Sequence, residues 1–351
     1  MSDFEPMMEA LDARARRRET RRAFFTQAAG MAAGATLLAG TAAAQTATPT
    51  PSPSPSPSPS PTSTAPVLSD VDVLNFALNL EYLEANFYAL AVTGSGLGSA
   101  DISGSVGTAG AASGGRAVTF TDATLASYAR EIAADELAHV RFLRGQLTTT
   151  TYIAQPAIDL SVGVNSAFSV AARAAGLITG TNSVFDPYAS EENFLLAAFL
   201  FEDVGVTAYK GAAPLIGNKL ILEAAAGILA VEAYHAATIR GLLYRRGIDA
   251  PAPNAITRAG GISDARDRLD GNPAEDKVRG IAPDDDQGIA TQSTADGDRS
   301  NIVPANENGI VYSRSPAQVL NIAYLNNTTA TSGGFFPAGV NGTIKSSAAA
   351  T

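Results

Sequence analysis

The amino-acid sequence predicts an all-α protein: a four-helix bundle with one long crossover, then a mostly irregular C-terminal extension holding a short fifth helix. Two observations carry this expectation. Four long segments repeat their apolar residues with the helical period, and each opens on a capping residue and stops at glycine or proline. The links between them differ in length in a way that sorts the helices into two pairs.

The 351 residues divide into four parts. Residues 1–44 read as a twin-arginine signal peptide. Thr20-Arg21-Arg22-Ala23-Phe24-Phe25 is the motif, a weakly apolar run follows it, and Ala42-Ala43-Ala44 is a small-residue cleavage site. Gly and Thr break the run, and its only large residues are Met31, Leu37 and Leu38, so no membrane span is expected. A periplasmic or secreted location follows, reached by a route that carries folded proteins. Residues 45–66 are a Pro-Ser and Pro-Thr tract, expected to run as a polyproline II tether. The bundle is assigned to residues 67–248 and the extension to 249–351.

The first helix opens at Ser69-Asp70 and runs to about Thr93, with Leu74, Leu78, Glu81, Ala85, Tyr88 and Val92 on one stripe. Residues 94–118 are rich in Gly, Ser and Ala and read as a flexible insertion. A second helix opens at Thr121-Asp122 and stops at Gly145; its stripe is Leu125, Tyr128, Ile132, Glu136, His139 and Leu143. The long link from 146 to 189 contains one short helical piece near Ser166 to Ala175. Ser190 caps the third helix, which aligns Leu195, Ala198, Glu202, Gly205 and Tyr209 and ends near Pro214. The fourth runs from about Asn218 to Gly247 through Ile221, Ala225, Ile228, Glu232, His235, Ile239 and Leu242. Only a few residues join the third and fourth, so those two are antiparallel neighbours. Beyond 250 one short helix is expected, from Ser315-Pro316 to about Leu325. Tyr312, Leu320, Tyr324, Phe335 and Phe336 make that region too apolar for a disordered tail, so it should wrap the bundle. The acidic run Asp284-Asp285-Asp286 lacks the spacing of a calcium loop and reads as a solvated one.

Composition narrows the function. The formal net charge is −10, which argues against nucleic acid or anionic lipid as a partner. Cysteine is absent, so disulfides, thiolate ligands and thiol nucleophiles are excluded.

Six polar residues interrupt the apolar stripes: Glu81, Glu136, His139, Glu202, Glu232 and His235. A carboxylate inside a bundle is costly unless it is paired or bound to metal. Four of them together are offset by two divalent cations, which is the reason to expect two metals and not one. Spacing agrees, because Glu-x-x-His puts both side chains on one helix face. Both histidines of the chain follow a glutamate by three residues. The halves also repeat each other: Arg144-Gly145 follows His139 as Arg240-Gly241 follows His235, and Tyr88 follows Glu81 as Tyr209 follows Glu202.

These motifs resemble the ferritin-like di-metal carboxylate superfamily, whose bundles take one Glu from each of two helices and Glu-x-x-His from each of the others. Leu80-Glu81 with Tyr88 is similar to the first ferroxidase helix of ferritins and rubrerythrins. The string Leu80-Glu81-Tyr82-Leu83-Glu84 and the tail Gly333-Gly334-Phe335-Phe336-Pro337 resemble the branch of plant desiccation-related proteins and their bacterial relatives. The resemblance implies that Glu81 and His139 are terminal ligands of one metal, and Glu202 and His235 of the other. Glu136 and Glu232 would bridge. Oxygen and imidazole donors without thiolate suit iron or manganese.

Other residues carry alternatives. Glu84 lies one turn from Glu81 and is a candidate to replace it, although Gly205 occupies the matching place in the second half. Tyr88 and Tyr209 are candidate catalytic residues, through hydrogen bonds to ligands or electron transfer, or else core tyrosines. Asp135 is a candidate to orient a histidine, on one side only because its counterpart is Val231. Arg144 and Arg240 read as serving helix ends.

The implied function is an oxidoreductase acting on peroxide or dioxygen, in the manner of manganese catalase or rubrerythrin, with oxidation of ferrous ion as the nearest variant. A desiccation-protective protein whose metals stabilise the fold is the second reading. Iron storage is the third, and the tether and the long extension make a closed shell hard to build.

Overall fold

The computed structural model describes residues 68–271 and 286–350; the signal, the tether and Asp284-Asp285 lie outside them. Four long helices form where the period places them. Helix α1 spans Asp70–Thr93, and Ser69 and Asp72 close a reciprocal capping box at its start. After a short helix α2 (Ser99–Ile102), helix α3 spans Ala123–Gln146. The Asp122 carboxylate caps α3 by accepting from the amides of Thr124 and Leu125. Helix α4 (Ala167–Ala174) interrupts the crossover. Helix α5 (Glu191–Ala212) is capped by Ser190, and helix α6 (Lys219–Gly247) by Asn218. Helix α1 packs along α3 and α5 along α6, so the two expected pairs are present.

Three regions differ from the expectation. The insertion 94–118 is held, not loose. Strand β1 (Ala112–Ser113) pairs in parallel with β2 (Ile158–Asp159), and Val106 bridges Ile153. Backbone pairing needs no apolar side chains, so the Gly, Ser and Ala composition hides it. Among the described residues the extension also holds a helix that its spacing does not suggest: α7, Ala255–Asp270, capped by Asn254. Gly260-Gly261 lowers its helical propensity. Gly261 is there for fit, since a Cβ on it would lie 2.2 Å from the Ala175 carbonyl oxygen. Finally, Asp286 is buried and ion-paired instead of solvated.

Helix α7 packs on α4, α5 and α6, and on α8 (Pro316–Ala323), the short helix predicted near the C-terminus. A small hairpin of β3 (Gln292–Thr294) and β4 (Gly297–Arg299) lies between α7 and α8 in the chain. The tail seats Phe335 against Phe168 and Phe201, with ring centres 5.1 and 5.0 Å away. Burying a side chain of that size contributes about 1.5–3 kcal/mol.

This covering makes the bundle lopsided. Helices α1 and α5 are buried on almost every side, whereas α3 and α6 are buried along one stripe. Tyr128, expected on the inner stripe of α3, is 37% exposed. Helix α6 is long and apolar enough to cross a bilayer. It nevertheless carries Glu232, His235 and Arg240, all buried inside the protein. Arg240 does not serve a helix end: its guanidinium lies 2.7 Å from Asp203 and donates to the carbonyls of Gln287, Gly288 and Asn301. Arg144 reaches the insertion, through the carbonyls of Ala100 and Ser103, and the Tyr82 hydroxyl.

Candidate metal centre

The helical period brings all six predicted ligands to one place between the two helix pairs. Glu81 comes from α1, Glu136 and His139 from α3, Glu202 from α5, and Glu232 and His235 from α6. They form two overlapping groups. Glu81, Glu136, His139 and Glu232 each offer a ligand atom, all within 4.8 Å of one another, and so do Glu136, Glu202 and His235. Glu136 belongs to both.

Each histidine turns Nδ1 inward. His139 Nδ1 lies 3.2 Å from Glu81, 3.6 Å from Glu136 and 3.5 Å from Glu232. His235 Nδ1 lies 3.0 Å from Glu136 and 3.5 Å from Glu202. On its outer side, His235 Nε2 is 3.2 Å from the Asp135 carboxylate, which fixes the ring. The matching position beside His139 is Val231, so this support is one-sided. Glu232 groups with His139 alone, which makes Glu136 the carboxylate best placed to be shared.

The two tyrosines complete the symmetry crosswise. Tyr88 of α1 donates to Glu202 of α5, and Tyr209 of α5 donates to Glu81 of α1. Burial, and then the carboxylate each one faces, holds both phenols well above their usual range. They therefore act as protonated donors that fix one oxygen of Glu202 and one of Glu81.

Burial dominates the electrostatics. It pushes Glu81 up to about 7, against the His139 charge, and raises Glu202, Glu84 and Glu232 as well. Glu136 goes the other way. Burial would raise it, but the two histidines beside it hold it at about 2. The imidazoles gain in turn. Burial lowers them, yet Glu81 and Glu136 lift His139 to about 10, and Glu136 and Glu202 lift His235 to about 11. Protons on the histidines and outer carboxyls thus offset the charge that cations offset in a metal site.

A metal pair fits these residues. Glu232 Oε2 is buried without a partner among the described residues. Both oxygens of Glu136, one each of Glu202 and Glu232, and His235 Nδ1 meet only in ion-pair contacts of 3.0–3.6 Å that are not aligned as hydrogen bonds. Unsatisfied donor atoms converging on one volume are what divalent cations require, and a core left with them alone would be costly. Glu84, weighed as a substitute for Glu81, is also buried beside the cluster but belongs to neither ligand group. Gly205 opposite it is required by fit. A Cβ there would lie 2.2 Å from Glu232 Oε2 and 3.5 Å from Glu84 Oε1.

A neighbouring charge network was not foreseen from the sequence. Asp203 meets Arg240 and Arg266, Asp286 meets Arg266 and Arg314, and Asp270 meets Arg314. Asp203 and Arg240 lie on apolar helix faces, the same signal that marks the glutamates.

The comparisons agree with this geometry. The family described as the ferritin-like domain matches residues 69–245. The chain is 32% identical to desiccation-related protein PCC13-62 of Craterostigma plantagineum over 264 residues, 72% of this chain and 76% of that protein. It is 29% identical to ferritin-like catalase Nec2 of Nesocodon mauritianus over 279 residues, 79% of this chain and 85% of that protein. No solved structure matches. With the family match over half its length, and two pairs of helices meeting at a carboxylate and histidine cluster, the chain belongs to the ferritin-like family, near its desiccation-related members.

Proposed function

We propose that this chain is an exported di-iron or di-manganese oxidoreductase that acts on hydrogen peroxide. One observation carries the reading: two buried ligand groups share a single carboxylate, Glu136. Glu81, His139 and Glu232 would hold one ion, Glu202 and His235 the other, and Glu136 both. Bound there, two such ions would supply two-electron redox chemistry.

The reaction is disproportionation. One peroxide is oxidised to dioxygen, releasing two electrons and two protons, and a second takes up both pairs to give two waters. The protein's share is arrangement. Tyr88 and Tyr209 hold Glu202 and Glu81 by one oxygen each. Asp135 fixes the His235 ring, and the apolar shell from α1 and α5 excludes bulk water. Similarity to a relative named a ferritin-like catalase supports this reaction. Export rests on the twin-arginine motif, and replacing Arg21 and Arg22 by Lys should leave the protein in the cytoplasm.

A second reading has its own support, the similarity to a desiccation-related protein. There the metals would only brace the bundle. Purified protein should carry about two iron or manganese ions per chain, because the buried carboxylates need that charge. Peroxide added to it should then release dioxygen in proportion to metal content. The bracing reading wins if chelation lowers the melting temperature while peroxide disappears no faster than with the free ions.

A further inference from the structure

The metal cluster has two unlike surroundings. On the side of α3 and α6 it is polar: the histidines keep slight exposure, and the half-exposed Asp135 side chain lies against His235. On the opposite side a small cavity of about 30 Å³, room for one or two water-sized molecules, lies between α1, α5 and α8. Leu80, Leu83, Val204, Val319, Ile322 and Phe335 form its walls. Its one charged group is Glu84.

That carboxyl is unusual. It is 5% exposed, and no described residue donates a hydrogen bond to it or pairs with it. A buried carboxyl left without a partner is costly unless something else satisfies it. Its position says what. Glu84 stands where the apolar cavity meets the cluster, and the missing side chain of Gly205 leaves Glu84 Oε1 and Glu232 Oε2 facing the same small space. Apolar walls reject ions and admit small uncharged molecules, while a single carboxyl offers a hydrogen bond to an O–H group.

We propose that the cavity beneath α8 is the route by which hydrogen peroxide reaches the metal cluster, and that Glu84 receives it there by hydrogen bonding instead of acting as a metal ligand. The inference rests on the peroxide reading above and assigns its substrate a path. Charged species are left to the side of Asp135 and the histidines.

Filling the cavity from α8 tests this far from every ligand. Val319→Phe narrows it, and Ile322→Phe is the second variant should the first fail to fold. Both should bind as much metal as wild type. Two readouts are taken on metal-loaded protein. In steady state, kcat/KM for peroxide should fall at least about tenfold while kcat changes less, because access and not chemistry is impeded. In single turnover, chemically reduced metal is mixed with peroxide, and the second-order rate of reoxidation should fall by a similar factor. Glu84→Gln should keep its metal, and Glu84→Leu should lower kcat/KM where Glu84→Gln largely preserves it. Unchanged reoxidation rates in both filled variants would overturn the route, and loss of metal in Glu84→Gln would overturn the role of Glu84. If wild type shows no turnover but its reoxidation slows in the filled variants, the peroxide function fails and the route stands. If reduced metal does not react with peroxide at all, both fail.

Discussion

Two buried charge clusters lie side by side along α5, one starting at Glu202 and the other at the next residue, Asp203. The second is balanced: Arg240, Arg266 and Arg314 against Asp203, Asp270 and Asp286. Each acid faces a guanidinium, and Asp286 is held below its usual range because Arg266 and Arg314 outweigh its burial. The first is unbalanced, with Glu81, Glu84, Glu136, Glu202 and Glu232 around two histidines. It compensates by taking up protons and still leaves donor atoms unpaired. The difference separates a clamp from a ligand site. Opposite charges in equal number join α7 and the segments around Asp286 and Arg314 to the bundle. Asp203 Oδ1, Asp270 Oδ1 and Arg266 Nε keep no hydrogen bond among the described residues, yet the cluster carries no excess charge for a cation to offset. An excess of one charge, aimed inward, asks for a cation.

The comparison breaks first at the clamp. Arg266→Ala leaves Asp203 with Arg240 alone, and also removes the 2.6 Å hydrogen bond to the Phe199 carbonyl. Removing one member of a buried ion-pair network costs about 3–5 kcal/mol. Urea unfolding should show that loss equally with and without metal. A stability change that appears only in metal-loaded protein would mean that the two clusters are one.

At the metal cluster the dependence on metal should invert. Glu136→Ala should bind neither ion, since both groups share that residue. Wild type should gain roughly 2.7 kcal/mol when the metal concentration is a hundred times the dissociation constant, and the variant should gain nothing. Melting curves with and without added metal make the comparison. A full metal response in Glu136→Ala would remove the argument for a shared carboxylate.

How much of this could be read from the sequence follows from the same contrast. The Glu-x-x-His pairs and their partner glutamates were legible because one helical period fixes the face on which each lies. No long-range contact had to be known. The clamp was not legible, because two of its six members come from segments without a period and two more from α7, whose glycines hid it. Asp286 sits in an irregular run of acids, and Arg314 precedes a short helix. Their partners, Arg266 and Asp270, lie on α7 and are chosen by tertiary packing. Glu84 was visible as a candidate but not as a buried, unpartnered group, since its surroundings include Val319 and Phe335 from the far end of the chain. Helix α7 was hidden by Gly260-Gly261, of which Gly261 serves its fit against the end of α4.

A smaller effect tests the asymmetry within the metal cluster. Asp135 supports His235 and has no equivalent beside His139. Asp135→Asn should therefore weaken metal at the His235 side by about 10–100-fold and leave the other side unchanged. A metal titration should then show two classes of site where wild type shows one or a narrower pair. Equal weakening of both would place Asp135 outside this role.

The smallest effect comes from charges that are paired but part-exposed, at the end of the bundle where α3 and α5 begin. Glu191 accepts hydrogen bonds from the amides of Thr121 and Asp122, and Arg246 lies 2.9 Å away. Burial alone would raise its pKa, but those amides and the guanidinium overcome it and hold the carboxyl at about 2. A depressed carboxyl contributes stability above its unfolded value of 4.5, and that contribution disappears as pH falls towards 2. Water screens this site, so the contribution is on the order of 1 kcal/mol. Glu191→Gln mimics the protonated acid. Its deficit against wild type should be constant from neutral pH down to about 5 and then shrink as acid protonates Glu191 in the wild type. Denaturant midpoints measured across that range decide the point. A deficit as large as that of Arg266→Ala, or one that does not shrink in acid, would show that pairing alone sets the energy. Pairing and burial together set the larger loss at Arg266.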